Sequence, residues 1–202
     1  SGTWLAHAVD REIMVPLAVA ALAEALDSGD LRAESATDFV LSDLNPSGLR
    51  PSIEASVHAT IPQSIVAHFH CVNTLAHAVC VEGEVDLKAI FSCELPELTW
   101  AMIPYRRPGT PLARAIAATR DAAPDVLVLA NHGLIVCGET VAEVSQRVEA
   151  VTKALSLPRR AVSNPDLDFL QNAVSRLKDY ALPEHPTCHD IATDEIGSRI
   201  AQ

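Results

Sequence analysis

The sequence predicts an α/β sandwich, and three observations carry that reading. Short apolar runs such as Ile65-Val66-Ala67-His68-Phe69-His70 and Val126-Leu127-Val128-Leu129-Ala130 have strand character. Between them lie stretches with apolar residues at helical spacing, the longest being Val141, Val144, Val148, Val151 and Leu155. Alternation of the two types layers helices on a sheet. Whether neighbouring strands run parallel or antiparallel does not follow from the pattern.

The elements follow in order. Ile13-Met14-Val15 reads as a short strand, then Pro16 opens an Ala-rich helix to about Leu26, stopped by Asp27-Ser28-Gly29. Asn45-Pro46-Ser47-Gly48 is a turn. Pro51-Ser52 heads a helix to about Ile61, with Ser52 as its N-cap. The His-x-His strand is next, then a helix over about Val72 to Val81. Leu98-Thr99-Trp100-Ala101-Met102-Ile103 forms a strand ending at Pro104-Tyr105. Pro108-Gly109-Thr110 precedes a helix with Leu112 and Ile116 on one side, stopped by Pro124-Asp125. A strand pair crosses Asn131-His132-Gly133, and the long amphipathic helix follows. After Pro158-Arg159-Arg160 the chain turns polar. Leu167, Leu170, Val174 and Leu177 mark a last helix before a tail rich in Pro, His and Asp. The expected organisation is one domain over residues 1–158 and a helical extension over 159–202.

Composition narrows the function. The 202 residues are 49% hydrophobic but only 4% aromatic, so the core is built from Ala, Val, Leu and Ile. A formal charge of -11 argues against general nucleic-acid affinity, because phosphate backbones are met by clustered Lys and Arg. No apolar run approaches the ~20 residues that cross a bilayer. Five cysteines, Cys71, Cys80, Cys93, Cys137 and Cys188, include no Cys-x-x-Cys pair, and the expectation is a reduced, cytoplasmic protein.

Histidines carry the functional signal. On a strand, His68 and His70 leave the same face, because side chains alternate with period 2. His132, beyond the next apolar run, would complete a three-nitrogen metal site. Three ligands and an open position is the pattern of a catalytic zinc, although other transition metals also accept imidazole. A substrate oxygen at such an ion would be polarised, stabilising an adjacent enediolate. Glu54, one short helix upstream, is the candidate base. His58 lies one turn later on the same face, to orient Glu54 or line the pocket. Taken singly, each residue also has a plain structural explanation: Glu54 as a solvated helix position, His132 as a turn residue bonded to backbone.

Joined in order, the segments Ser1-Gly2, Pro51-Ser52-Ile53-Glu54 with His58, His68-Phe69-His70, Pro104-Tyr105 with Pro108-Gly109-Thr110, and Asn131-His132-Gly133-Leu134 resemble the class II aldolase/adducin family over residues 1 to about 155. The resemblance implies a three-layer α/β/α sandwich with a central, mainly antiparallel sheet. It implies Zn2+ on His68, His70 and His132, proton transfer by Glu54, and a proton donor at Tyr105 reaching into a neighbouring subunit's site. Ser1, Gly2 and Ser52 match substrate-phosphate positions. The implied activity is an aldolase-type lyase acting on a phosphorylated sugar or related hydroxy-carbonyl compound, as a homotetramer. A 4-epimerase or dehydratase of the same family, or a non-catalytic adducin-like binding module, are the alternatives. Two departures concern the phosphate. The family's Gly-Asn-x-Ser loop would precede Ser1, and Ile53 stands where a second Ser is expected. The tail is similar to the extension of longer relatives related to rhamnulose-phosphate aldolase.

Overall fold

The structure, a computed structural model, describes residues 5–158 and 166–182. Four apolar segments make one sheet: β1 (Ile65–Phe69), β2 (Trp100–Ile103), β3 (Val126–Leu129) and β4 (Gly133–Gly138). Their spatial order is β1-β4-β3-β2. β4 pairs antiparallel with both β1 and β3, whereas β2 and β3 are parallel. The sheet is therefore mainly antiparallel, as expected. The parallel pair requires a crossover, supplied by α5 (Thr110–Ala117).

Alternation along the strands feeds two cores. Leu127 and Leu129 of β3, with Ile135 and Cys137 of β4, face α1 (Val19–Ser28), α2 (Ala55–Thr60) and α5, burying Leu22, Leu26, Val57, Leu112 and Ile116. Val126, Val128, Leu134 and Val136 face α4 (Gly83–Glu94) and α6 (Val141–Ala154), with Leu87, Phe91, Val144 and Val151. β3 and β4 are buried throughout, which explains their unbroken apolar runs. Phe91 stacks on Trp100 with ring centroids 4.7 Å apart. A fully buried Leu or Phe is worth ~1.5–3 kcal/mol, so these two interfaces rather than helix propensity set the layers. The result is three layers, helices on both faces of the sheet.

Local chemistry fixes the ends of the elements. Gly29, φ 79, ends α1 in the left-handed conformation, and the Asp30 N–H reaches back to Ala25 O at 2.8 Å. Thr140 caps α6 by accepting from Glu143 N–H at 3.2 Å, while the Glu143 carboxylate accepts from Glu139 N–H at 2.8 Å.

Three expectations need correction. Ile13-Met14-Val15 is not a strand; one isolated bridge, Leu17 with Val40, forms instead. Pro16 has no N–H to extend a ladder there. The Ala-rich helix consequently starts at Val19. The helix headed by Ser52 begins only at Ala55, and the Ser52 hydroxyl instead holds the Glu54 N–H at 3.2 Å. The segment after His70 is a short α3 (Val72–Ala78), and the sequence reading missed α4 beyond it.

The chain divides into two compact units between Ser156 and Leu157. In the second, α7 (Leu167–Ser175) is capped by Asp166, which accepts from Phe169 N–H at 2.9 Å. None of the described helices is long and apolar enough to cross a membrane.

Candidate metal centre

β1 delivers His68 and His70 to the α1/α2/α5 face of the sheet. Ile65, Ala67 and Phe69 pack into the opposite core, Val66 into the near one, so the period-2 rule sends His68 and His70 to the near side. His68 lies opposite Ile135 in the register, another residue of that face.

His132 arrives by a tight turn. Its N–H donates to Leu129 O at 3.1 Å, and Asn131 takes the left-handed conformation with φ 55. Asn tolerates that region better than most residues. Gly133 follows because nothing larger fits: a Cβ there would lie 2.7 Å from Phe69 O and 3.2 Å from His70 Cα. The three residues Asn131-His132-Gly133 are thus a steric solution that brings the end of β1 against the β3–β4 turn.

Glu54 comes from the near-side layer, at the N-terminal boundary of α2. The Ser52 hydroxyl fixes its N–H, and its own carbonyl accepts from Val57 N–H at 2.9 Å. Its Oε1 lies 2.8 Å from His132 Nε2 and 3.4 Å from His68 Nε2. The three imidazole centroids form a nearly equilateral triangle, 5.2, 5.1 and 5.0 Å on a side. One ligand atom from each of Glu54, His68, His70 and His132 lies within 4.8 Å of the others. The side chains of His68 and His132 are 8% and 9% exposed, and His70 forms the open rim.

The electrostatics suit a cation. Contact with His68 holds the Glu54 carboxyl below its usual range against the opposing effect of burial, helped by His132 and His70. Burial lowers His68, but the Glu54 contact outweighs it and the net shift is upward. For His132 burial wins and the shift is downward. His68 Nδ1 lies 3.1 Å from Leu134 O, so in the neutral ring Nδ1 carries the proton and Nε2 presents its lone pair to the centre. Two buried ring atoms, His68 Nε2 and His132 Nδ1, have no hydrogen-bond partner. Of these, His68 Nε2 lies at the centre, 3.4 Å from Glu54 Oε1, and a buried polar atom left without a partner is costly without a ligand. Three imidazoles and a carboxylate are a donor set for a divalent transition metal.

A sequence profile of the class II aldolase and adducin N-terminal domain matches residues 23–157, more than half of the chain. The chain belongs to the class II aldolase/adducin family. Among its relatives, a 3-oxo-tetronate 4-phosphate decarboxylase of Escherichia coli is 29% identical over 121 residues, covering 55% of this chain and 56% of that protein. An uncharacterized oxidoreductase of Bacillus subtilis, YuxG, is 30% identical over 93 residues, covering 45% of this chain and 13% of that one. The chain thus spans about half the length of the decarboxylase and less of the oxidoreductase. The N-terminal class II aldolase domain of a conserved Thermoplasma acidophilum protein shares the fold, with a TM-score of 0.51 and 23% identity over 75% of this chain and 60% of that one.

Within this class II aldolase domain, four of the residues singled out from sequence meet: Glu54, His68, His70 and His132. Ser52 is exposed and acts on Glu54 through its amide. Tyr105 is 55% exposed on the loop after β2 and is not part of the cluster. His58 is exposed and lines a separate cavity of about 760 Å³ with Ile13, Leu17, Ile65 and Val66 rather than orienting Glu54. Ser1 and Gly2 lie outside the described residues. The sequence reading did not find the Leu134 carbonyl that orients His68, because a backbone acceptor on a neighbouring strand leaves no residue-type signal.

Proposed function

We propose that this domain is a metal-dependent lyase that breaks or forms a carbon–carbon bond in a small phosphorylated hydroxy-carbonyl compound. The observation that carries the reading is the convergence of Glu54 with three imidazoles at one point. The ion assigned to it is Zn2+, held by His68, His70 and His132. When bound, a divalent cation polarises a substrate carbonyl and stabilises the negative charge that gathers on its oxygen.

The chain supplies the rest. Glu54 is kept ionised and aimed at the centre, so it can take or return a proton on the carbon beside the carbonyl. The hydrogen bond to Leu134 O fixes the His68 ring against rotation. The Ser52 hydroxyl, which accepts from Glu54 N–H, keeps its own proton free for a substrate oxygen. Tyr105 is assigned the proton that the departing or arriving oxygen needs, across an interface in a homotetramer.

Decarboxylation of a 3-oxo acid is the second reading, favoured by the name of the Escherichia coli relative. It makes the same demand as aldol cleavage, since both leave an electron pair on the carbon next to a carbonyl. They differ in what departs: an aldehyde in one case, carbon dioxide in the other.

Elemental mass spectrometry on the purified chain beside a His68→Ala, His70→Ala double variant tests the site. About one divalent ion per chain, lost in the variant, is the expected result. Ketose phosphates and 3-oxo acid phosphates are then screened, with released aldehyde and carbon dioxide assayed separately and Glu54→Gln as control. A chain that takes up no metal on reconstitution, or a Glu54→Gln variant with full turnover, sinks the proposal. A monomer with full aldol cleavage would remove the role given to Tyr105.

A further inference from the structure

Two exposed surfaces stand at the metal end of the sheet, on its opposite edges. The turn that carries His132 joins β3 to β4 and defines that end. β2 runs parallel to β3, so the loop over 104–109 leaves there. β1 runs antiparallel to β4 and finishes there too, with α3 starting at Val72, two residues beyond His70. In the order β1-β4-β3-β2 these strands are the two edges, separated by three spacings of about 4.8 Å.

The first surface is apolar and acidic. Val72, Val79, Val81 and Val85, on α3, α4 and the corner between them, are 78%, 58%, 96% and 70% exposed. One exposed valine is ordinary, whereas several on one corner form a patch of the kind that marks an interface. Glu82, Glu84 and Asp86 are exposed in the same stretch, and no cation stands between Val79 and Leu87. These acids join none of the ion pairs among the described residues. The corner is fixed in place. A Cβ on Gly83 would lie 2.0 Å from His77 O, and His77 Nε2 lies 3.2 Å from Leu155 O.

The second surface is aromatic and basic. Tyr105 and Arg106 are both exposed, and Arg106 Nη1 donates to Tyr105 O at 2.8 Å. Arg106 forms no ion pair among the described residues, but its neighbour does. Glu34, the last residue of the 3-10 turn Leu31–Glu34, pairs with Arg107 through Oε1. Its Oε2 accepts from Thr110 N–H at 3.0 Å and from the Thr110 hydroxyl at 2.5 Å, which clamps the loop. Gly109, φ 96, leaves the room: a Cβ there would lie 3.2 Å from each carboxylate oxygen. Tyr105 and Arg106 remain as the outward face of a braced loop.

A surface that complements another surface of the same chain joins copies head to tail, and a suitable rotation closes them into a ring. Here acids and valines on one edge match a guanidinium and a phenol on the other. We propose that the Tyr105–Arg106 loop of one copy docks on the α3–α4 corner of the next. Arg106 then meets Glu82 and Glu84, and Tyr105 passes Val72 toward the neighbour's rim at His70. The inference rests on the cross-subunit role given to Tyr105 above and names the surface that receives it.

Sedimentation velocity of the full chain, supplied with zinc, tests the docking. Arg106→Glu, a Glu82→Lys, Glu84→Lys double variant and an equal mixture of the two are run beside wild type. Each variant is first checked for native far-ultraviolet circular dichroism. Wild type is expected as a tetramer. Each variant alone assembles about tenfold more weakly or worse, because like charges then face each other. The mixture reassembles, since in a ring of alternating copies every loop again meets a patch of opposite charge. A monomeric wild type, variants that assemble like wild type, or a mixture that stays dissociated overturns the docking. Elemental analysis separates this from the lyase reading. A monomer with about one metal ion per chain overturns the docking alone. A tetramer that behaves as expected but takes up no metal supports the docking and sinks the lyase.

Discussion

His68 donates its Nδ1 proton to the carbonyl of Leu134, 3.1 Å away across the β1–β4 pairing. A backbone acceptor cannot be removed by mutation of its side chain, so the orientation of the ring belongs to the sheet itself. Leu134→Val is accordingly expected to leave metal stoichiometry unchanged, while His68→Ala abolishes it. Elemental analysis of both variants, each checked for native far-ultraviolet circular dichroism, decides the matter. Equal loss in the two would mean that packing, not the carbonyl, orients the ring.

Gly133 is the tightest steric point of the site. Gly133→Ala places a methyl 2.7 Å from Phe69 O, a separation real Cβ atoms do not show. The expected cost is roughly 1–3 kcal/mol, measured by urea unfolding, with weakened metal retention because the end of β1 must move. Unchanged stability together with unchanged metal content would contradict the contact.

Burial pushes the Cys137 thiol up to about 12, against the lowering effect of nearby Arg147. At pH 8 only about one molecule in ten thousand is then thiolate, the reactive form. Iodoacetamide is expected to modify the exposed Cys80 and Cys93 and spare Cys137 until the protein is unfolded. Peptide mapping by mass spectrometry reads this directly. Prompt native labelling of Cys137 would mean that the sheet opens there.

The Glu34 carboxyl is held below its usual value by the Thr110 hydroxyl first and Arg107 second, with burial opposing. A lowered folded value stabilises the protein above the unfolded pKa of about 4.3, and that gain is lost as pH falls through the folded value. The melting temperatures of wild type and Glu34→Gln should therefore differ at neutral pH and converge only in acid, once the pH has fallen through the lowered folded value. A constant difference at every pH would show that the charge contributes nothing.

Arg147 ties the opposite end of the sheet. Its guanidinium contacts Asp125 at 2.8 Å, Glu143 at 2.7 Å and the Cys137 carbonyl, joining β3, β4 and α6. Arg147→Met removes the cation that bridges Asp125 and Glu143, each of which keeps a hydrogen bond from Thr99 or Glu139, and a loss of roughly 1–3 kcal/mol by urea unfolding is expected. A stability within 0.5 kcal/mol of wild type, about the level of ordinary surface changes, would rule this out.

What could be read in the sequence was local. Period 2 placed His68 and His70 together, and Asn131-His132-Gly133 announced a turn from residue types alone. Ile13-Met14-Val15 misled because three apolar residues satisfy a strand pattern whether or not a neighbouring edge exists to pair with them. α4 escaped notice although Leu87, Ile90 and Phe91 have helical spacing, because charged residues and an exposed Val85 interrupt the stripe. Ser52 was a reasonable cap, yet its hydroxyl reached the nearer amide of Glu54. The Glu34 clamp joins residues 73 and 76 positions apart, and no local rule reaches that far. Strand order was hidden for the same reason.

The cluster draws on the boundary of one helix, the end of an edge strand and a hairpin turn, contributed by three separate stretches of chain. None of these alone presents more than two donors. An ion that binds there selects the fully docked arrangement of all three, so its binding free energy adds to the cooperativity of folding. Chelation should then do more than remove a reagent: it would loosen the junction between α2 and the sheet, making the melting point a gauge of occupancy.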